Sequence, residues 1–153
     1  MTIRDIVLAP STFAARIFNP LQPPFALAAR CYVSWQFLKS GYLKITTWDS
    51  TIYLFENEYH TPWLAPHTAA VAGTCGELFF PTLLVLGLFG RLSALGLFVV
   101  NAMAVISYSQ VLLAEGSEAA LAQHVSWGTL LLFLIVYGPG KLSLDHYLNR
   151  SRS

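Results

Sequence analysis

The chain has 153 residues, of which 55% are hydrophobic, 14% aromatic and 11% charged, where a soluble domain carries about 25% charged residues. Nine Lys plus Arg against eight Asp plus Glu leave a net charge of +1, so no basic surface exists to neutralise a run of phosphates, and nucleic-acid binding is excluded. One domain of this length with a mean hydropathy of +0.54 holds more apolar side chains than an aqueous core can cover, which points to a lipid bilayer as its solvent.

In chain order, residues 1–22 place Arg4, Asp5 and Arg16 among Ile3, Ile6, Val7, Phe13, Ile17 and Phe18, the pattern of a cytoplasmic segment lying on a membrane surface, with a disordered tail as the alternative. Pro10 and Arg16 interrupt any secretory leader, so none is expected. Four later stretches are apolar for about 20 residues, enough to cross roughly 30 Å of hydrocarbon as helices: 24–45, 66–89, 91–113 and 119–138. Their runs are continuous, unlike the alternation of a spanning strand. The predicted fold is therefore an all-α membrane protein, one domain over 1–153, built as a four-transmembrane-helix bundle.

Between spans one and two, Trp48, Ile52, Tyr53, Phe55, Tyr59 and Trp63 suit a short interfacial helix. Asp49, Glu56, Glu58, His60 and His67 lie there too. Their spacing does not converge as metal ligands do, and no metal site is expected. Arg4, Arg16, Arg91, Lys141, Arg150 and Arg152 fall on one side of the spans and the acids Asp49, Glu56, Glu58, Glu115 and Glu118 on the other, which predicts both termini, including the tail 139–153, to be cytoplasmic.

Inside the bilayer a charge costs several kcal/mol, about 2.5 to 3.5 on insertion scales, so each one needs a partner or an exit. Arg30, Ser34, Phe37, Gly41 and Lys44 fall on one stripe of span one, expected to face the interior, with Ser34 and Gly41 admitting a close helix. Counting depth from the span ends puts Arg30 and Glu77 within roughly 5 Å of one level, and an Arg30 to Glu77 ion pair is predicted. Lys39 points away and is expected to snorkel outward. Asn101 and His124 are expected to make interhelical hydrogen bonds, His124 having proton transfer or metal ligation as its alternative. Cys31 and Cys75 form no CxxC and are expected to be buried small hydrophobes, although a meeting of the two stays open. Phosphate loops, HExxH, a nucleophile elbow and CxxCH are all missing from the sequence.

The stripe Arg30, Ser34, Phe37, Gly41, Lys44, followed by Glu77, Gly87, Arg91 and the GPGKLSLD run from Gly138 to Asp145, resembles the DoxX family over Pro24 to Asp145. Ser34, where the family usually has Gly, and Phe80–Pro81 after the acid depart from its pattern. The resemblance implies a multi-pass bacterial inner-membrane protein linked to redox chemistry, with quinone as a possible cofactor and no settled enzymatic activity. Two readings follow. In one, Arg30, Lys44 and Glu77, with Trp35, Phe37 and Phe79 as apolar walls, form a site between spans one and two of a quinone- or thiol-linked redox subunit. In the other, these charges with Lys39, Arg91, Asn101, His124 and Asp145 only hold the bundle together, and the chain is a non-catalytic anchor or assembly scaffold for a protein partner, in a metal- or stress-response operon. Outward Gly96 or Gly128 would also allow a homodimer, which the sequence leaves open.

Overall fold

The computed structural model describes residues 12–151, and the described residues are helical nearly throughout, with no strand among them. Residues 12–18 are helical, with Phe13, Ile17 and Phe18 exposed, and a 3-10 turn over Asn19–Leu21 follows. The rest of the predicted surface segment, residues 1–11, lies outside the described residues. Helix α1 spans Gln22–Thr46 and starts on Pro23 and Pro24, whose fixed φ and missing N–H suit a first turn. Helix α2 covers Trp48–Asn57, the short helix expected in the first connection.

Helix α3 runs over Pro66–Leu86 and stops at Gly87, whose φ of 71° lets Leu88 N–H reach back to the Leu83 carbonyl at 3.0 Å. Pro81 lies inside α3 and supplies no N–H to the carbonyl four residues back, so the helical ladder is one bond short at the turn that carries Glu77. Helix α4 is Gly90–Ser107, a single turn α5 covers Ser109–Leu112, α6 is Glu118–Tyr137 and α7 is Leu144–Arg150. The predicted third span thus ends six residues early, because the chain turns at Tyr108.

Helix α1 packs on α3, α3 on α4, α4 on α6, and α6 closes the ring against α1. Val33, Phe37, Leu84, Ala94, Leu97, Leu131 and Leu134 form its core. Phe55 of α2 packs on Ala69 and Ala70 of α3 in a second cluster. Among the described residues three helices, α3, α4 and α6, are long and apolar enough to cross a membrane. Their outer faces present Phe79, Leu92, Val99, Val125, Leu132 and Val136, as a lipid-facing surface should. Gly96 and Gly128 do not face outward as expected: Gly96 packs against the Phe80 ring, and Gly128 is buried opposite Asn101 and Phe98.

Candidate functional site

The charged residues that the sequence groups into one cluster separate into two, one at each end of the bundle. At the end where α1 begins and α6 finishes, Arg30 is 1% exposed. It donates through Nη1 to the carbonyls of Pro139 (2.5 Å) and Leu142 (2.9 Å), and through Nη2 to that of Val85 (2.9 Å). Val85 belongs to the last turn of α3, whose carbonyls have no helical partners and carry the negative end of the helix dipole. Asp145 answers from the other side. It accepts from Phe89 N–H (2.9 Å) and Gly90 N–H (2.7 Å), capping α4 across the chain at a residue, Phe89, with φ of 48°. The Asp145 N–H donates in turn to the Gly87 carbonyl at 3.0 Å, and Ser143 caps α7 through His146 N–H. A Cβ on Gly87 would sit 2.5 Å from that of Ser143, so glycine is what lets the two segments touch. Arg30, Gly87 and the run from Gly138 to Asp145 therefore form a clasp in which backbone carbonyls take both Arg30 Nη groups, while its buried Nε has no partner among the described residues.

The predicted Arg30 to Glu77 pair is not formed. Gly87 lies against the Arg30 guanidinium, while Gly41 lies against Glu77 and Leu78. The first two turns of α1 therefore extend past the end of α3, and a depth count that starts both helices at one level misplaces them by about 9 Å. Glu77 is bound instead by Lys44, whose Nζ lies 2.6 Å from both carboxylate oxygens and 3.1 Å from Ser40 Oγ. Lys44 is 18% and Glu77 8% exposed, and a hydrogen-bonded partner of opposite charge is what makes such burial tolerable. Gly41 makes the approach possible: a Cβ there would stand 2.9 Å from Leu78 and 3.1 Å from the Glu77 Cβ.

This ion pair lies on the wall of a cavity of about 330 Å³ at the opposite end of the bundle. Ser40 and Lys44 contribute from α1, Phe55 and Tyr59 from α2 and its exit, Ala69, Gly73 and Glu77 from α3, Val100, Met103 and Ala104 from α4, and His124 from α6. Tyr59 stacks edge-on against Phe55 at 4.7 Å and Tyr108 at 4.8 Å. Tyr108 donates to Glu58 Oε2 (3.1 Å) and Gln110 to the Glu58 carbonyl (2.5 Å), so the connection after α2 is tied down over the cavity. Burial first, then Tyr108, Glu77 and Glu58, hold the Tyr59 hydroxyl above its ordinary range; burial and the bond to Glu58 do the same for Tyr108. Both are neutral phenols at physiological pH. A mostly apolar lining with a few convergent polar groups suits a small molecule with an apolar body and a polar head.

Residues 25–110, more than half of the chain, match the DoxX family. The chain belongs to the DoxX family. Neither a curated protein nor a solved structure gives a match. The matched stretch holds both Arg30 and the Lys44–Glu77 pair, and ends before the Gly138–Asp145 run that the resemblance included.

Other expected site residues of this DoxX protein lie elsewhere. Trp35 is 63% and Phe79 59% exposed on the outer surface, and Phe37 is buried against Trp127, so none of the three walls the cavity. Cys31 and Cys75 are exposed rather than buried and lie unbonded on outward faces. Lys39 is exposed beside Gln36, and Arg91 is exposed beside Gly138. Asn101 and His124 do bond across α4 and α6. Sequence reasoning assigned Tyr59 to the interface and left Tyr108 out. Glu58 and Tyr108 meet across 50 residues, and no local spacing marks such a pair.

Proposed function

We propose that this DoxX protein is a membrane subunit of a redox system that binds a quinone-type molecule in the cavity bounded by Lys44, Glu77, Tyr59 and His124. The observation that carries this reading is an otherwise apolar cavity of about 330 Å³ with an ion pair in its wall, within the usual size range of small-molecule sites. Thr61 Oγ1, buried at the cavity edge with no partner among the described residues, adds a polar atom that a ligand would satisfy. Residues Glu77, Tyr59 and His124 would hold the head group, and Phe55, Val100 and Met103 the apolar ring and tail. A bound quinone would supply the two-electron chemistry that no side chain here provides.

On this reading α1 is a fourth span. Its charges do not oppose that: Arg30 and Lys44 are bonded inside the bundle, exposed Lys39 has a stem long enough to snorkel toward the head groups, and its outer face carries Tyr32, Trp35, Tyr42 and Leu43. The side rich in Lys and Arg, with both termini, is then cytoplasmic, and the cavity lies toward the outer face of a bacterial inner membrane. Purification in mild detergent followed by solvent extraction and mass spectrometry tests the proposal. A quinone is expected with wild type and with Trp35→Ala, and is expected to be lost in Gly73→Leu, which puts a bulky side chain into the cavity wall, with its Cβ 3.7 Å from Phe55. A folded wild type with no bound molecule would defeat the proposal and favour the anchor or scaffold reading.

A further inference from the structure

The polar groups of this cavity differ in what they can offer a ligand. The Lys44 ammonium is engaged by Glu77 Oε1, Glu77 Oε2 and Ser40 Oγ. Its charge is already matched by the Glu77 carboxylate. Glu77, as a carboxylate, can only accept.

His124 is fixed in a second way. The Asn101 amide touches it at two points, the His124 main-chain carbonyl at 3.0 Å and ring Nδ1 at 2.9 Å. A carbonyl only accepts, so the amide NH2 must face it and the amide oxygen must face the ring. Nδ1 then carries the proton, and Nε2 is a bare acceptor. Among the described residues nothing hydrogen-bonds to Nε2, and the ring, held edge-on to Trp127 at 4.9 Å, lines the cavity. The hydroxyls of Tyr59 and Thr61 can act either way. Apart from Lys44, whose charge Glu77 already matches, the groups whose role is fixed accept.

Building on the proposed quinone-type ligand, we infer that the cavity selects the reduced, hydroxyl-bearing form, with His124 Nε2 as acceptor for a hydroquinone O–H and Asn101 as the residue that positions it. A quinone carbonyl set against Nε2 or Glu77 would put acceptor against acceptor. One hydrogen bond of ordinary net strength corresponds to about a tenfold preference for the hydroquinone. By linkage, the same factor raises the two-electron midpoint potential of the bound couple by about 30 mV.

The test is anaerobic equilibrium dialysis of duroquinol and of duroquinone against the full chain in nanodiscs, with empty nanodiscs as blank. Wild type at pH 8 is expected to bind duroquinol about tenfold more tightly. His124→Leu should equalise the two by weakening duroquinol alone, and Asn101→Leu should lose part of the preference by freeing the tautomer. Lys44, Glu77, Tyr59 and Tyr108 are the other titratable groups on the cavity, and all four are unchanged in both variants. Equal or tighter binding of duroquinone by wild type overturns the inference and leaves the cavity reading standing, as does a preference that survives His124→Leu. Binding of neither form overturns both.

Discussion

Replacing Arg30 separates a clasp from a ligand site. In Arg30→Ala three charge-assisted hydrogen bonds disappear, to Pro139, Leu142 and Val85, at a residue 1% exposed. At about 1.5 kcal/mol net for each, the low end for a charged donor, the loss is about 4 kcal/mol, and the carbonyls left without partners act in the same direction. For a chain of this size that lowers the melting temperature by roughly 10 °C. Arg30→Lys keeps the charge but not the planar fork, so it is expected to recover only about a third of the difference. The assay is thermal unfolding in one detergent followed by tryptophan fluorescence, with quinone content measured per folded molecule. Melting within about 2 °C of wild type would refute the clasp, and normal melting with loss of the bound molecule would return Arg30 to the ligand site.

Gly87→Ala should destabilise by about 2 kcal/mol or more, since it joins a φ of 71° to a Cβ 2.5 Å from Ser143; Gly116→Ala, at φ of 86° with nothing within 4 Å, is the control, and equal melting of the two would refute the packing argument. Asp145→Ala removes the cap of α4 and is expected to cost about 1 to 2 kcal/mol, with faster hydrogen exchange at the Phe89 and Gly90 amides as the local readout. Tyr59 and Tyr108, held protonated by burial, bind protons more tightly folded than unfolded, so the stability they contribute is present below pH of about 10 and falls as pH rises beyond it. Tyr59→Phe with Tyr108→Phe should flatten that alkaline fall in melting temperature.

The Lys44–Glu77 pair and the Arg30 clasp show how far the sequence reaches. Hydrophobic length gave α3, α4 and α6, and periodicity correctly placed Arg30, Ser34, Phe37 and Gly41 on the buried face of α1. Both properties are local, set by a rise of about 1.5 Å and a turn of about 100° per residue. The ordered motifs also carried the family. Which acid meets which base was not legible, because it depends on the axial offset between two helices, and that offset is set by where Gly41 meets Leu78 and Gly87 meets Ser143.

The same reason hid the cavity. Trp35 and Phe37 lie two residues apart on α1, about 200° around the helix, and the expected site needed both on one wall; the bundle turns one outward and gives the other to Trp127. Tyr59, Tyr108 and His124 come from three separate connections and helices and become neighbours only when α2 folds over α3 and α6 closes the ring. The sequence by itself determined the solvent, the helices and the inward stripe, since these follow from composition and helical geometry. Only the tertiary structure decided the ion pair, the clasp and the acceptor character of His124, because each depends on how separate helices are offset and turned against one another.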